Sequence, residues 1–235
     1  MTKLKILRTH DKIVEYTDAD WENLKEKRTR AKFLLNLFVK ESLKPYVIGS
    51  VARGDVHRDS DIDLIFPYVI SPFKVEYVLT SNGFENYFRE IIMATPNDTL
   101  KMYIYLSELE SISFPLTKLD KKSLEFYNFG GKVSYQQLNK EIRISGIDKR
   151  LVLIEPLKQG HREISVIGNE HVAAKQVNVS LDTILERKKV LLKRERFGKT
   201  GVYLKRSIDI DESTEDVLKE LARNKRIVRK KLYEQ

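Results

Sequence analysis

One stretch constrains this chain more than any other: V-I-G-S-V-A-R-G-D-V-H-R-D-S-D-I-D-L-I-F, from Val47 to Phe66. Tyr46 to Ile48 reads as a short buried strand broken by Gly49. A glycine there lets the backbone come close to a phosphate, because it has no side chain. Amides in the turn that follows carry partial positive charge and suit a triphosphate. Ser50 adds a hydroxyl donor, and Arg53 a charged fork for the same phosphates. Ten residues after Ser50 comes a second strand, Asp61 to Phe66. Its alternation puts Ile62, Leu64 and Phe66 on one face and Asp61 and Asp63 on the other. Two carboxylates on one strand face repel unless a cation joins them. Hard oxygen ligands of this kind select magnesium or manganese, with water and phosphate oxygens completing the shell. The candidate nucleotide-binding residues are therefore Gly49, Ser50 and Arg53, and the candidate metal ligands are Asp61 and Asp63.

This text resembles the DNA polymerase beta superfamily of nucleotidyltransferases: Gly-Ser, about ten residues, then Asp-hydrophobic-Asp-hydrophobic. It is most similar to the small prokaryotic and archaeal branch, through Gly49, Ser50, Ala52, Arg53, Gly54 and then Ser60 to Leu64. Further stretches resemble an uncharacterised archaeal group of nucleotidyltransferases: Ile112 to Leu116, Phe126 to Gly131, Gly146 to Pro156 and Gly160-His161. The resemblance implies an α/β (α+β) fold, a mixed sheet flanked by helices. It implies in-line transfer of a nucleoside monophosphate from an NTP to an acceptor hydroxyl, with Mg2+ or Mn2+ and release of pyrophosphate. It also implies a third carboxylate, from a later strand, as metal ligand and general base. The strand in the right place, Ser111 to Leu116, contains no acid. Glu110 immediately precedes it and is the first candidate; Glu108, a distant acid such as Asp120, or no third acid at all are the alternatives.

The rest of the chain bounds the setting. It has 235 residues, no cysteine, and a formal charge of +9. Without thiols, disulfides, thiolate zinc sites and cysteine nucleophiles are excluded; the composition suits a reducing, cytoplasmic compartment. His10, His57, His161 and His171 are too scattered for a helical zinc pair. His161, beside Gly160, reads as a turn residue. No segment approaches the roughly 20 apolar residues of a membrane span, and no leader is visible. The positive excess favours polyanions.

Helical spacing predicts a helix from about Thr17 to Ser42, and shorter helices over Val75 to Leu79 and Leu119 to Tyr127. Strands are expected at Lys101 to Leu106 and Ser111 to Leu116, and Gly130-Gly131 reads as a hinge. A boundary near Gly146 would divide a nucleotidyltransferase domain, 1–146, from a smaller basic domain, 147–235. The second half opens with two strands turning at Gln159-Gly160. Val172 to Arg187 then reads as a helix-turn-helix: Ala173 and Ala174 allow a close crossing, and Ser180 caps the second helix. A hairpin over Arg196 to Lys205 would be the wing of a winged-helix-like module, with the basic set Arg187, Lys188, Lys189, Lys193, Arg194, Arg196 and Lys199 suited to phosphate contacts, and Lys188, Lys189, Lys193 and Arg196 as the nucleic-acid-binding candidates. Packing against the catalytic domain or a second subunit is the other reading of that helical pair. Ser213 to Leu232 is expected as one basic helix.

Two functions are therefore weighed. One is a metal-dependent nucleotidyltransferase. The other is a nucleic-acid-binding regulator, or an antitoxin-like partner protein, with a nucleotide-binding but weakly active domain.

Overall fold

A computed structural model describes residues 5–198 and 201–233. In chain order the elements are β1 (Asp11–Glu15), α1 (Asp18–Lys40), β2 (Tyr46–Ile48), α2 (Ser50–Arg53), β3 (Ile62–Ile65), α3 (Pro72–Thr80) and β4 (Phe88–Met93). Then come β5 (Lys101–Ser107), β6 (Glu110–Pro115), α4 (Lys121–Phe129), β7 (Lys132–Ser134), α5 (Tyr135–Asn139) and β8 (Gly146–Ile147). The chain ends with β9 (Val152–Leu157), β10 (Gly160–Ser165), α6 (Glu170–Gln176), α7 (Leu181–Phe197), β11 (Leu204–Ile208), α8 (Thr214–Asn224) and α9 (Arg226–Tyr233).

A seven-stranded mixed sheet in the order β11-β4-β5-β6-β3-β2-β7 carries the main core. Only the β3–β6 pair within it is parallel. α1 starts where its sequence says it should: Thr17 and Asp20 form a reciprocal capping box, which satisfies two amides that the first turn leaves open. Its apolar stripe, Ala31, Leu34, Leu35 and Phe38, is fully buried, packed with Leu64, Phe66, Ile112 and Phe114 of the sheet. One face of the sheet is thus sealed by helices. The other carries Asp63, Ser111, Ser113, Tyr103, Tyr105 and Glu90, which strand pairing places side by side. This polar face carries the candidate site.

A four-stranded sheet, β1-β10-β9-β8, backs the second core, which includes Phe129, Leu151, Val166, Ala173, Ile184 and Leu191. The two cores do not part at residue 146. β1 joins the small sheet from the beginning of the chain, whereas β11, α8 and α9 return to the main core through Leu204, Ile208, Val217, Leu221 and Val228. Gly146 is a contact point: a Cβ there would lie 2.7 Å from backbone atoms of Gly130 and Gly131. The Gly130-Gly131 pair is therefore clamped in a close crossing and does not read as a hinge.

Three further expectations change. No winged module is formed by the described residues: α7 runs on through Arg196 and Phe197, and Lys205 lies in β11, which pairs with β4 of the large sheet; residues 199 and 200 of the expected turn lie outside them. The apolar residues of β11, Leu204 and Ile208, are buried there, and that burial outweighs a local hairpin. His161 lies inside β10, buried, with its Nδ1 2.8 Å from the Tyr16 hydroxyl. The closing helix is two helices, parted at Lys225, whose backbone is extended. No helix among the described residues is long and apolar enough to cross a membrane.

Candidate active site

β2 and β3 run antiparallel with Ile48 opposite Asp63. The Gly49–Ser50 turn and the Asp61–Asp63 pair consequently share one end of two neighbouring strands. Gly49 adopts φ 76°, which a side chain rarely tolerates, while a Cβ there would meet nothing within 4 Å. Backbone conformation therefore demands the glycine, and space beside it stays open. Its amide donates to the Gly131 carbonyl (3.0 Å), tying the turn to the end of α4. Ser50 opens the single turn of α2, partly buried.

Asp61 is exposed and Asp63 half-buried. Burial is the main force raising the Asp63 pKa; the neighbouring Asp61 charge adds to it, while the Ser111 hydroxyl and the Lys149 charge oppose it. Ser111 stands directly opposite Asp63 in the parallel pairing and donates a 2.6 Å hydrogen bond to Oδ1. Lys149 reaches this charge from the loop after β8, 86 positions along the chain. Neither residue was visible as a site residue in the sequence, since register and loop placement are long-range facts.

The structure does not bring the expected third acid to the pair. Glu110 alternates with Ser111, so it points to the helical face. There Arg30 of α1 grips both its oxygens, at 2.6 and 2.8 Å. The positions beside Asp63 on β6 are held by Ser111 and Ser113. Glu108 lies in the turn between β5 and β6, and Asp120 caps α4 by accepting from the Ser123 amide at 2.7 Å. No group of three or more histidine, cysteine, aspartate or glutamate side chains suited to a metal occurs among the described residues. Two carboxylates still fit a cation that takes its remaining ligands from a triphosphate and water.

Arg53 is not open to a phosphate in this structure. Its side chain is buried, bonded to both Asp55 oxygens at 2.9 Å and to the Gly130 carbonyl at 2.6 Å. It braces the α2 turn against the 130–131 crossing. Cations that do flank the polar face are Lys132, next to Ile48 on β7, and Lys101 at the start of β5. Burial lowers the pKa of both.

Of the basic residues expected to meet nucleic acid, Lys189, Lys193 and Arg196 are exposed on α7. Spaced four and three apart, they share one helical face. Lys188 turns instead to Glu170, 2.5 Å away, and Lys199 lies outside the described residues. The helix pair α6–α7 itself forms, with Ala173, Ala174 and Ile184 in the second core.

Compared with known proteins, residues 24–208 match the family model described as a nucleotidyltransferase domain. No curated protein and no solved structure matches the chain.

Proposed function

Because the chain belongs to the nucleotidyltransferase domain family, whose chemistry is nucleotidyl transfer, we propose that it moves a nucleoside monophosphate from an NTP to an acceptor hydroxyl at the Asp61–Asp63 pair. The observation carrying this reading is the register of Ile48 against Asp63, which sets the Gly49–Ser50 turn beside the carboxylates. Asp61 and Asp63 would hold the divalent ion. Bound there, magnesium or manganese would offset the triphosphate charge and polarise the α-phosphorus.

The chain's own groups supply positioning. Ser111 fixes one oxygen of Asp63 by donating to it, which leaves the orientation of the carboxylate set before substrate arrives. Gly49 lets the phosphates approach the backbone, and Ser50 offers a hydroxyl donor. Lys149 and Lys132 add positive charge around the same strand ends. In such a site catalysis is chiefly alignment and charge stabilisation.

A second reading rests on Ser111 and Ser113. With no carboxylate beside Asp63 on β6, the acceptor hydroxyl has no protein base there. The domain would then bind nucleotide and turn over slowly, as part of a nucleic-acid-binding regulator or an antitoxin-like protein.

Incubation with labelled NTPs, manganese and a panel of acceptors separates the two. Labelling that disappears in Asp61→Ala and Asp63→Ala supports the transferase. Absence of labelling, with manganese-dependent NTP binding retained by the intact protein, supports the regulator.

A further inference from the structure

A cavity of about 360 Å³ opens on the polar sheet face, between β4–β5 and the helices α4 and α7. Its floor includes Ile92, Lys101 and Tyr103, and its wall Phe126, Arg187 and Arg194. Lys101 and Arg187 are mostly desolvated; the Arg187 charge opposes that of Lys101, and the Arg194 charge opposes that of Arg187. Among the described residues, neither forms a hydrogen bond or an ion pair. The Arg187 guanidinium stacks 4.3 Å above the Phe126 ring, and its Nε is buried without a partner. The Lys101 ammonium sits 5.0 Å from the centre of the Tyr127 ring. Acids are present at the margin but are otherwise engaged: Asp120 caps α4 and Glu186 pairs with Lys122 at 2.8 Å. Asp98 and Asp120 favour the Lys101 charge, and Glu186 the Arg187 charge, only through space, without an ion pair to either.

Two neighbouring half-buried cations with no direct counter-ion are costly unless an anion arrives. A stacked guanidinium keeps its N–H edge free for such an anion. The triphosphate proposed above would not occupy this place. β5 stands three strand steps from β2, roughly 14 Å at about 4.8 Å per step. From these observations, and resting on the proposed transferase reading, we propose that the cavity formed by Lys101, Arg187 and Arg194 binds a phosphate group carried by the acceptor. Such a group, lying about 10 Å or more from Asp63 by strand spacing, would leave room for the intervening part of the acceptor to bring its hydroxyl to the carboxylate pair. The exposed Lys189–Lys193–Arg196 stripe continues along the same helix, α7.

The test uses the full chain without divalent metal, with inorganic phosphate as the probe, followed by calorimetry and thermal melting. Phosphate should bind wild type and Asp63→Asn equally. Lys101→Met and Arg187→Gln should each weaken it at least about ten-fold, and Arg187→Lys should keep part of it. Both charge-removing variants relieve an uncompensated cation, so they should melt no lower than wild type, and phosphate should no longer raise their melting temperature. Ribose 5-phosphate, a 5′-phosphorylated trinucleotide and its unphosphorylated form identify the source. Equal binding of the two phosphorylated probes indicates a small phosphorylated acceptor; preference for the phosphorylated trinucleotide indicates a nucleic acid end. Phosphate binding that is unchanged in Lys101→Met and Arg187→Gln, or lost in Asp63→Asn, would overturn the proposal. Loss of manganese–NTP binding alone would defeat the transferase reading and leave the phosphate result standing.

Discussion

Ser111 donates its hydroxyl proton to Oδ1 of Asp63 across the parallel β3–β6 pair, 2.6 Å away. On the proposed reading, it occupies the place on β6 from which a third carboxylate would join Asp61 and Asp63 in holding a divalent ion. Ser111→Asp is therefore expected to strengthen manganese binding at least about ten-fold, near the value of one good charge-assisted contact, and to raise any labelling of an acceptor. Ser111→Ala should weaken binding a few-fold by releasing the Asp63 rotamer. Calorimetric titration with manganese in the presence of NTP reads both, and a Ser111→Asp protein no better than wild type would show that β6 does not reach the metal.

The same carboxylate should cost the metal-free protein stability. Burial raises the Asp63 pKa above its ordinary value. A group shifted upward favours the fold while protonated, and that contribution is lost as pH rises through its folded pKa. At neutral pH Asp63→Asn is expected to raise the melting temperature by about 2–4 °C, while abolishing stabilisation by manganese with NTP. A variant that melts lower than wild type in chelator would contradict this.

Arg53 offers a clean separation of roles. If it braces the α2 turn through Asp55 and Gly130, Arg53→Ala strands a buried Asp55. The expected loss is about 3 kcal/mol, seen as a lower urea midpoint. Unchanged stability with lost NTP affinity would instead assign Arg53 to the phosphates.

Acid should open the small sheet first. Glu163 on β10 is penalised by burial, yet hydrogen bonds from Arg150 and His10 and their charges bring its pKa down to about 2; His161 also faces it at 3.6 Å. A carboxylate lowered in this way contributes stability that is full above about 4.5 and drains away as pH falls toward 2. Glu163→Gln should lower the melting temperature at pH 7 and flatten its decline between about pH 4.5 and 2. Parallel melting curves for the two proteins would remove Glu163 from the acid limb.

Nucleic-acid contact through α7 has a salt signature. Replacing Lys189, Lys193 and Arg196 together by Ala should lower the slope of log affinity against log salt by about 2–3, one unit or slightly less per lost phosphate contact. Electrophoretic mobility shifts over a salt series measure it. An unaltered slope would leave the stripe as solvated surface.

The arrangement of the candidate site was partly legible because its elements are local. Gly49, Ser50, Asp61 and Asp63 lie within 15 residues, and the period of two already places both acids on one face. The same parity separates Glu110 from Ser111, but only the pairing of Ile62 with Glu110 and of Asp63 with Ser111 says which of them shares the face of Asp63. β4 escaped notice because Arg89 and Glu90, two charges in succession, break the apolar alternation of a buried strand. Their partners are distant: Arg89 is held by Glu76, Thr214 and the carbonyls of Asp209 and Glu212, and Glu90 by Lys205. The wing was misread for a related reason. Glycines near residue 200 suggest a local turn, whereas the bonds that satisfy β11 lie over a hundred positions earlier, in β4.

The crossed placement of the chain's ends governs the order of assembly. β1, near the start, must wait for β10 before its edge is closed, and β4 presents a bare edge until β11 has been made. Until those partners have been made, the chain carries two unpaired strand edges, the situation in which strands pair with the wrong neighbour. Both pairings span more than a hundred positions, so the two sheets reach their full width only after strands distant in sequence have met.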